Sequence, residues 1–220
     1  MSSVPLSRSQ KRSLASAAET YHEQLDDQAR AYLEGRGLLP GIETLRFGVV
    51  RSPRPEHTMM KDRLAIPFIG PKGNVYDIRF RCIQDHDCKE ASCPKYLGSD
   101  GVETRIYNAV ALVAPTDYIF VTEGELDAAT LTVCGWPAVG LPGANSWKKH
   151  YPRLFSGFTK VILVADGDDA GKKLASTFRR ALPSSSSVIV CGQGDDINSV
   201  YVREGREGLV ALLKGDEDDE

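Results

Sequence analysis

Two stretches of the chain place carboxylates beside a glycine directly after an apolar run: Val121-Thr122-Glu123-Gly124-Glu125-Leu126-Asp127 and Val161-Ile162-Leu163-Val164-Ala165-Asp166-Gly167-Asp168-Asp169-Ala170-Gly171. Asp166 and Asp168 are two residues apart, so in extended backbone their side chains point the same way, and Gly167 permits a sharp turn there. Carboxylate oxygens at neighbouring strand ends are the hard ligands that Mg²⁺ and Mn²⁺ take. A pair of such ions activates an attacking oxygen and stabilises a leaving one, which is phosphate chemistry. Glu123 ends the first run and completes the set. A third cluster, Gly194-Asp195-Asp196-Ile197-Asn198, brings Asp196 within reach of the same metals. Each feature alone has a simpler reading: an acidic turn, an acid favoured by a helix dipole, or an N-cap. Their combination on successive strand ends points to a metal site.

Two other groups could do chemistry. Cys82, His86, Cys88 and Cys93 fall close together, and thiolate and imidazole suit Zn²⁺. Their C-x3-H-x-C-x4-C spacing matches no common zinc finger, so zinc and free thiols in a polar loop both stay open. Arg63, Arg79, Arg81 and Lys95 are candidates for holding phosphate or nucleic acid, because an arginine fork grips phosphate bidentately. The alternative for each is a solvated strand face with surface ion pairs. Trp136 and Trp147 read as core or loop anchors rather than base-stacking platforms.

The elements that must position these groups follow from periodicity. Residues 8–34 read as one helix, stopped by Gly35 and Gly37. Ile42 to Val50 reads as a short helix running into a strand. Leu64–Ile69 and Val75–Cys82 read as a β-hairpin around Gly70-Pro71-Lys72-Gly73-Asn74. On its second strand, strict alternation puts Val75, Asp77, Arg79 and Arg81 on one face and Tyr76, Ile78 and Phe80 on the other. Residues 83–105 read as polar and irregular. After Pro115 strands and helices alternate: strands Tyr118–Thr122, Ala138–Leu141, Val161–Ala165 and Val188–Cys191, with helices 126–134, 149–154, 171–182 and about 200–213. This implies an α/β fold whose parallel sheet is flanked by helices, preceded by a smaller α+β subdomain. The division expected is 1–115, 116–214, and an acidic disordered tail, 215–220.

Composition narrows the class. The formal net charge of −3 is misleading, because five acids and no base lie between Gly215 and Glu220. The rest of the chain is near neutral, not the strongly basic body of a dedicated nucleic-acid binder. Five cysteines, an odd number with no secretory context, argue against a disulfide framework. No apolar run is long enough to span a bilayer. The expectation is a cytoplasmic protein without membrane contact.

At this point the acidic motifs resemble those of the Toprim domain, whose marks are Glu-Gly-x-x-(x)-Asp and Asp-x-Asp. Here these are Glu123-Gly124-Glu125-Leu126-Asp127 and Asp166-Gly167-Asp168, the latter followed by Asp169-Ala170-Gly171 as in primases. The preceding region is similar to the core of the DnaG-type primases of bacteria and phages. Ala31-Tyr32-Leu33-Glu34-Gly35-Arg36-Gly37-Leu38 resembles its opening, and Asp62-Arg63-Leu64-Ala65-Ile66-Pro67-Phe68 and the strand from Val75 to Arg81 resemble two of its strands. Pro94-Lys95-Tyr96-Leu97 is similar to a motif whose lysine serves phosphate or nucleic acid, and Gly140-Leu141-Pro142-Gly143 resembles a Toprim turn. There are departures. Asp196-Ile197-Asn198 stands where primases carry Asp-Pro-Asp, which weakens or shifts one metal position. The base expected soon after Lys95 is not obvious, Arg105 being the substitute.

The resemblance implies a bare, phage-like catalytic core that copies single-stranded DNA into short RNA primers from NTPs, with Asp127 supporting the site by orienting metal ligands or waters. Glu123, Asp166, Asp168 and Asp196 would hold two Mg²⁺ or Mn²⁺ ions. Lys95, Arg79, Arg81 and Arg63 would hold NTP phosphates or template. A replicative helicase or a separate zinc-binding subunit is the expected partner. Two other classes fit the same acids: a Toprim nuclease with water as the nucleophile, and a non-catalytic nucleic-acid-binding scaffold. A topoisomerase would need more chain for a strand-passage gate.

Overall fold

Helix α1 (Arg8–Glu23) opens on a reciprocal cap. Ser7 Oγ accepts from Gln10 N at 3.2 Å, and Gln10 Oε1 accepts from Ser7 N at 2.8 Å. The computed structural model describes residues 6–98, 105–143 and 146–214; the acidic tail expected over 215–220 lies outside them. Two compact units form, the first from residues up to 35 together with 39–105, the second from 36–38 and 106 onward.

In the first unit the single helix expected over 8–34 is two. Asp26 Oδ1 accepts from Ala29 N at 3.0 Å and starts α2 (Asp27–Gly35) afresh, while its Oδ2 takes Arg51 Nε at 2.6 Å. An aspartate that can cap a new turn and hold an arginine stops a helix that apolar spacing alone would continue. After the short helix α3 (Ile42–Leu45), an antiparallel sheet runs in the order β1 (Gly48–Val49), β2 (Arg63–Ile69), β3 (Val75–Cys82), β4 (Tyr96–Leu97). The last of these lies in the segment expected to be irregular. Its pairing with β3, Phe80 opposite Leu97 and Arg81 opposite Tyr96, brings Lys95 to the end of Cys82.

The expected alternation on β3 fails at its start. Phe68 pairs with Asp77 but Ile69 pairs with Val75, leaving Tyr76 as the extra residue of a bulge. Val75 therefore joins Ile78 and Phe80 in the core under α1, with Ala17, Ala18 and Tyr21. Arg79 and Arg81 keep a common face. Tyr21 also donates to or accepts from His57 Nδ1 at 2.8 Å inside this core, and burial holds His57 below the ordinary imidazole pKa.

The second unit is a parallel sheet of order β6-β5-β7-β8, built from β5 (Tyr118–Thr122), β6 (Ala138–Gly140), β7 (Lys160–Ala165) and β8 (Ser186–Val190). Its helices are α4 (Glu125–Val133), α5 (Asp169–Ala181) and α6 (Ile197–Lys214), the last kinked at Gly205. The central strands are near-continuously apolar, Ile-Phe-Val in β5 and Val-Ile-Leu-Val-Ala in β7, because both faces are covered. Trp147 is a core anchor, edge-on to Phe178 and parallel to Phe155. Residues 106–115, assigned to the first region by sequence, pack on the second unit. Tyr107 forms an antiparallel bridge to Gly140, and Asn108 Nδ2 donates to Thr132 Oγ1 and Ala138 O. Among the described residues no helix is long and apolar enough to cross a membrane.

Candidate active site

The strand order fixes where a ligand would sit. From β5 the chain crosses to β6 on one side, then β7 pairs on the other side of β5, so the connections diverge between β5 and β7. In open parallel sheets the crevice at the carboxyl ends of such strands is the binding site. Glu123 follows β5 there, and Asp166 follows β7. The Glu123 Oε1 atom accepts from Asp166 N at 3.0 Å, which ties the two strand ends together. Asp168 caps α5, its Oδ1 accepting from Gly171 N at 2.8 Å. Gly171 is demanded by packing: a Cβ there would lie 2.3 Å from Asp166 O and 2.7 Å from Glu123 Oε1. Asp127 lies in the first turn of α4 and accepts from Asn198 N at 3.1 Å. Beside these, an open cleft of about 570 Å³ is lined by Gly167, Asp168, Asp169, Lys172, Cys191 and Gly194.

The electrostatics at Glu123 are those of crowded carboxylates. Burial raises the Glu123 pKa above the ordinary carboxyl value, and the charges of Asp168 and Asp127 raise it further, against the one lowering contribution of the Asp166 N–H. Cys191, buried behind the same edge, has its thiol pushed up to about 12 by burial and by Asp166, Asp127, Asp196 and Asp195. The donor set fits a hard divalent cation: carboxylate oxygens at one sheet edge, in a field that a cation would relieve. These acids share that edge without converging on one point. Among the described residues the group of three or more possible metal ligands that does converge is Cys82, His86, Cys88 and Cys93, in the first unit.

A stability consequence follows for Glu123. An acid whose folded pKa is raised leaves stability unaffected below its unfolded pKa and lowers it as pH rises through the folded value, because the unfolded chain ionises first. Glu123→Gln keeps an oxygen to accept from Asp166 N and loses the charge. We expect it to unfold at a higher temperature than the parent at pH 8 without divalent metal, with the two curves coinciding near pH 3. Equal midpoints at both pH values would show that the Glu123 charge is not a strain on the fold.

The third cluster splits into different roles. Asp195 is engaged by Arg203 through two contacts of 2.9 Å, which holds its pKa below the usual carboxylate range. Asp196 caps α6: its Oδ1 accepts from Ser199 N at 2.7 Å, and Ser199 Oγ accepts from Asp196 N at 2.9 Å. Asn198, 1% exposed, is a clamp. Its Nδ2 donates to Arg36 O and to Thr130 Oγ1, and its Oδ1 accepts from Arg36 Nη1, all at 2.9 Å. An aspartate could not donate the first two bonds, so the amide is a structural choice here. Asn198→Ala leaves the buried Thr130 Oγ1 and the half-buried Arg36 without these bonds and is expected to cost about 2–4 kcal/mol, read from urea unfolding. A loss below about 1 kcal/mol would mean that water replaces the amide.

In the first unit the basic candidates separate. The Arg79 and Arg81 guanidiniums lie over the Tyr96 ring, at 4.7 and 5.0 Å from its centre. Arg81 is buried and donates to Tyr32 Oη at 2.7 Å and to Tyr96 Oη. Arg63 is buried too, with Nη1 donating to Pro94 O at 2.7 Å and Nη2 to Cys93 Sγ at 3.2 Å. Lys95 is exposed and Arg79 half-buried. Arg105 lies over the Tyr76 ring. Tyr32 and Tyr96, which fix Arg81, escaped the residue-by-residue reading because a tyrosine gives no spacing signal for such a role.

Comparison with known proteins agrees with this geometry. The Toprim-like family profile matches residues 120–201. The "Gene 57 protein" of Mycobacterium phage D29 is 38% identical over 159 residues, which is 70% of this chain and 100% of that protein. A DNA primase of Buchnera aphidicola is 28% identical over 160 residues, 66% of this chain but only 27% of that enzyme, so the chain spans about a quarter of this bacterial relative. The structure of a DnaG primase catalytic domain bound to ssDNA superposes with a TM-score of 0.75 at 21% identity, over 93% of this chain and 80% of that one. The resemblance read from the sequence thus holds in sequence and in fold, and the chain belongs to the Toprim-bearing family of DnaG-type primase cores.

Proposed function

We propose that this chain is the catalytic core of a DNA-dependent RNA primase, joining NTPs into short RNA primers on single-stranded DNA during replication. The observation that carries the reading is the placement of Glu123, Asp166 and Asp168 along one edge of the parallel sheet, at its switch point, in a chain of this family. Single-stranded DNA as template is supported by a similar primase domain that binds it. Glu123, Asp166, Asp168 and Asp196 would hold two Mg²⁺ or Mn²⁺ ions. Such ions, when bound, acidify the attacking 3′-hydroxyl and stabilise the charge on the departing pyrophosphate.

The remaining roles belong to the chain's own groups. The Asp166 N–H holds the Glu123 carboxylate toward β7, and Asp127 acts at one remove, through Asn198 N. Lys95 and Arg79 would take NTP phosphates or template phosphates, contacts that position a strand without reading its sequence. Arg81, pinned by two tyrosines, would offer a fixed cation behind them, and Arg63 would act mainly by shaping the segment that carries Lys95. Partners in this reading are a replicative helicase or a zinc-binding subunit that improves the grip on template, in the cytoplasm.

The test is labelled-NTP incorporation on single-stranded DNA with Mg²⁺ or Mn²⁺, for the parent and Asp166→Ala. Short RNA products that disappear in the variant support the proposal. Shortening of nucleic acid with Mn²⁺ and no NTP would move the assignment to a nuclease using the same acids. Metal binding with neither activity, with helicase and zinc-bearing subunit added, would leave a scaffold.

A further inference from the structure

We infer that the first unit holds a structural zinc ion on Cys82, His86, Cys88 and Cys93, a site separate from the acidic edge and independent of the primase reading. The four ligand atoms all lie within 4.8 Å of one another. Two edges of this cluster have the dimensions of a zinc tetrahedron. Sulfurs about 2.3 Å from a common zinc at the tetrahedral angle stand about 3.8 Å apart, and a sulfur and an imidazole nitrogen about 3.6 Å apart. The Cys82 and Cys93 sulfurs are 3.7 Å apart, and Cys82 Sγ to His86 Nε2 is 3.5 Å.

The backbone explains how an unfamiliar spacing reaches this arrangement. Cys82 is the last residue of β3, and its N–H donates to Lys95 O at 3.0 Å, closing the base of the loop. Asp87 Oδ1 accepts from Lys89 N at 2.7 Å and Glu90 N at 3.1 Å, so the chain turns at once after His86. Ala91 N then bonds Asp87 O, and Cys93 N donates to Cys88 O at 2.8 Å, which returns the last cysteine to the first two. Ser92 takes a left-handed conformation, φ 49°, to make that return.

The surroundings suit the charge. Three thiolates and a neutral imidazole around Zn²⁺ carry one net negative charge. The buried Arg63 guanidinium meets it, 3.2 Å from Cys93 Sγ, while its other arm holds Pro94 O. With four protein ligands the site is closed and structural rather than catalytic. It would anchor both ends of the segment before β4, and so fix Lys95 and the Tyr96 ring against Arg79 and Arg81.

Metal analysis of the full chain, purified without chelator, is expected to find about one zinc per polypeptide. Co²⁺ replacing it should give the intense visible bands of tetrahedral thiolate coordination. Cys88→Ser combined with Cys93→Ser should lose both, and Cys134→Ser should keep both. A second measurement needs no variant. In the parent, thiol titration should leave Cys82, Cys88 and Cys93 unreactive until a strong chelator is added, and the same chelator should speed proteolysis between residues 83 and 95. Iron in place of zinc, absence of stoichiometric zinc with no tetrahedral Co²⁺ spectrum, or zinc retained by the double variant would each overturn the inference.

Discussion

Asp168→Asn is expected to leave the protein folded and to lower primer synthesis by on the order of 10²–10³-fold, about the loss seen when one group that stabilises developing charge is removed. The variant separates the cap that Asp168 makes from the metal-ligand role proposed for it. Its Oδ1 accepts from Gly171 N at 2.8 Å and caps α5. Asparagine caps a helix as well as aspartate does, so that bond survives. Loss of the charge weakens the interaction with the helix dipole but relieves repulsion with Glu123, whose pKa Asp168 helps to raise. The net change in stability should stay within about 1 kcal/mol, or roughly 2–4 °C in Tm for a chain of this size. What asparagine cannot do is lend an anionic oxygen to Mg²⁺ or Mn²⁺. Initial rates at saturating metal, with thermal unfolding of the same samples, decide the matter. A variant within threefold of the parent would mean that Asp168 is only a cap. Asp168→Ala, losing cap and charge together, should be equally inactive and less stable by about 1 kcal/mol.

The parts of this site legible in the sequence are those with a local signature. Glu123 and Asp166 could be placed because Val and Ile runs ending in acid and glycine have few readings other than strand ends of a buried sheet. Asp168 followed because its spacing from Asp166 is short. Groups that act across the fold left no such mark. Asn198 looks like a weakened metal ligand in sequence, yet its amide bonds Arg36 and Thr130, residues far away in the chain. Arg63 looks like a phosphate ligand, yet it is buried against Cys93 and Pro94. The misread stretches of backbone have the same origin. The bulge at Tyr76 and the new helix start at Asp26 depend on pairing and capping, which apolar periodicity does not encode.

Gly167→Ala should unfold or rearrange the acidic edge at a cost of several kcal/mol, among the large effects reserved for single substitutions. The need for glycine here comes from close approach rather than from an unusual dihedral angle. A Cβ on residue 167 would fall 1.8 Å from Gly192 O and 2.9 Å from Cys191 O, both backbone atoms that cannot swing aside as a side chain would. The approach is held from both sides: Gly167 N donates to Asp195 O at 3.0 Å, and Gly194 N donates to Gly167 O at 3.4 Å. The turn after β7 and the turn after β8 are thereby laid against each other, which sets Asp166 and Asp168 beside the third acidic cluster. Making room for one methyl group means parting those turns, and overpacking of that kind has no cheap relaxation. Gly157→Ala is the matched control, since a Cβ there meets nothing within 4 Å; it should be neutral or slightly stabilising by restricting the unfolded chain. Urea unfolding of both variants, with primer synthesis measured on any folded fraction, tests the argument. If Gly167→Ala were as stable and as active as Gly157→Ala, the two turns would not be in contact in solution, and the positioning of Asp166 and Asp168 would need another explanation.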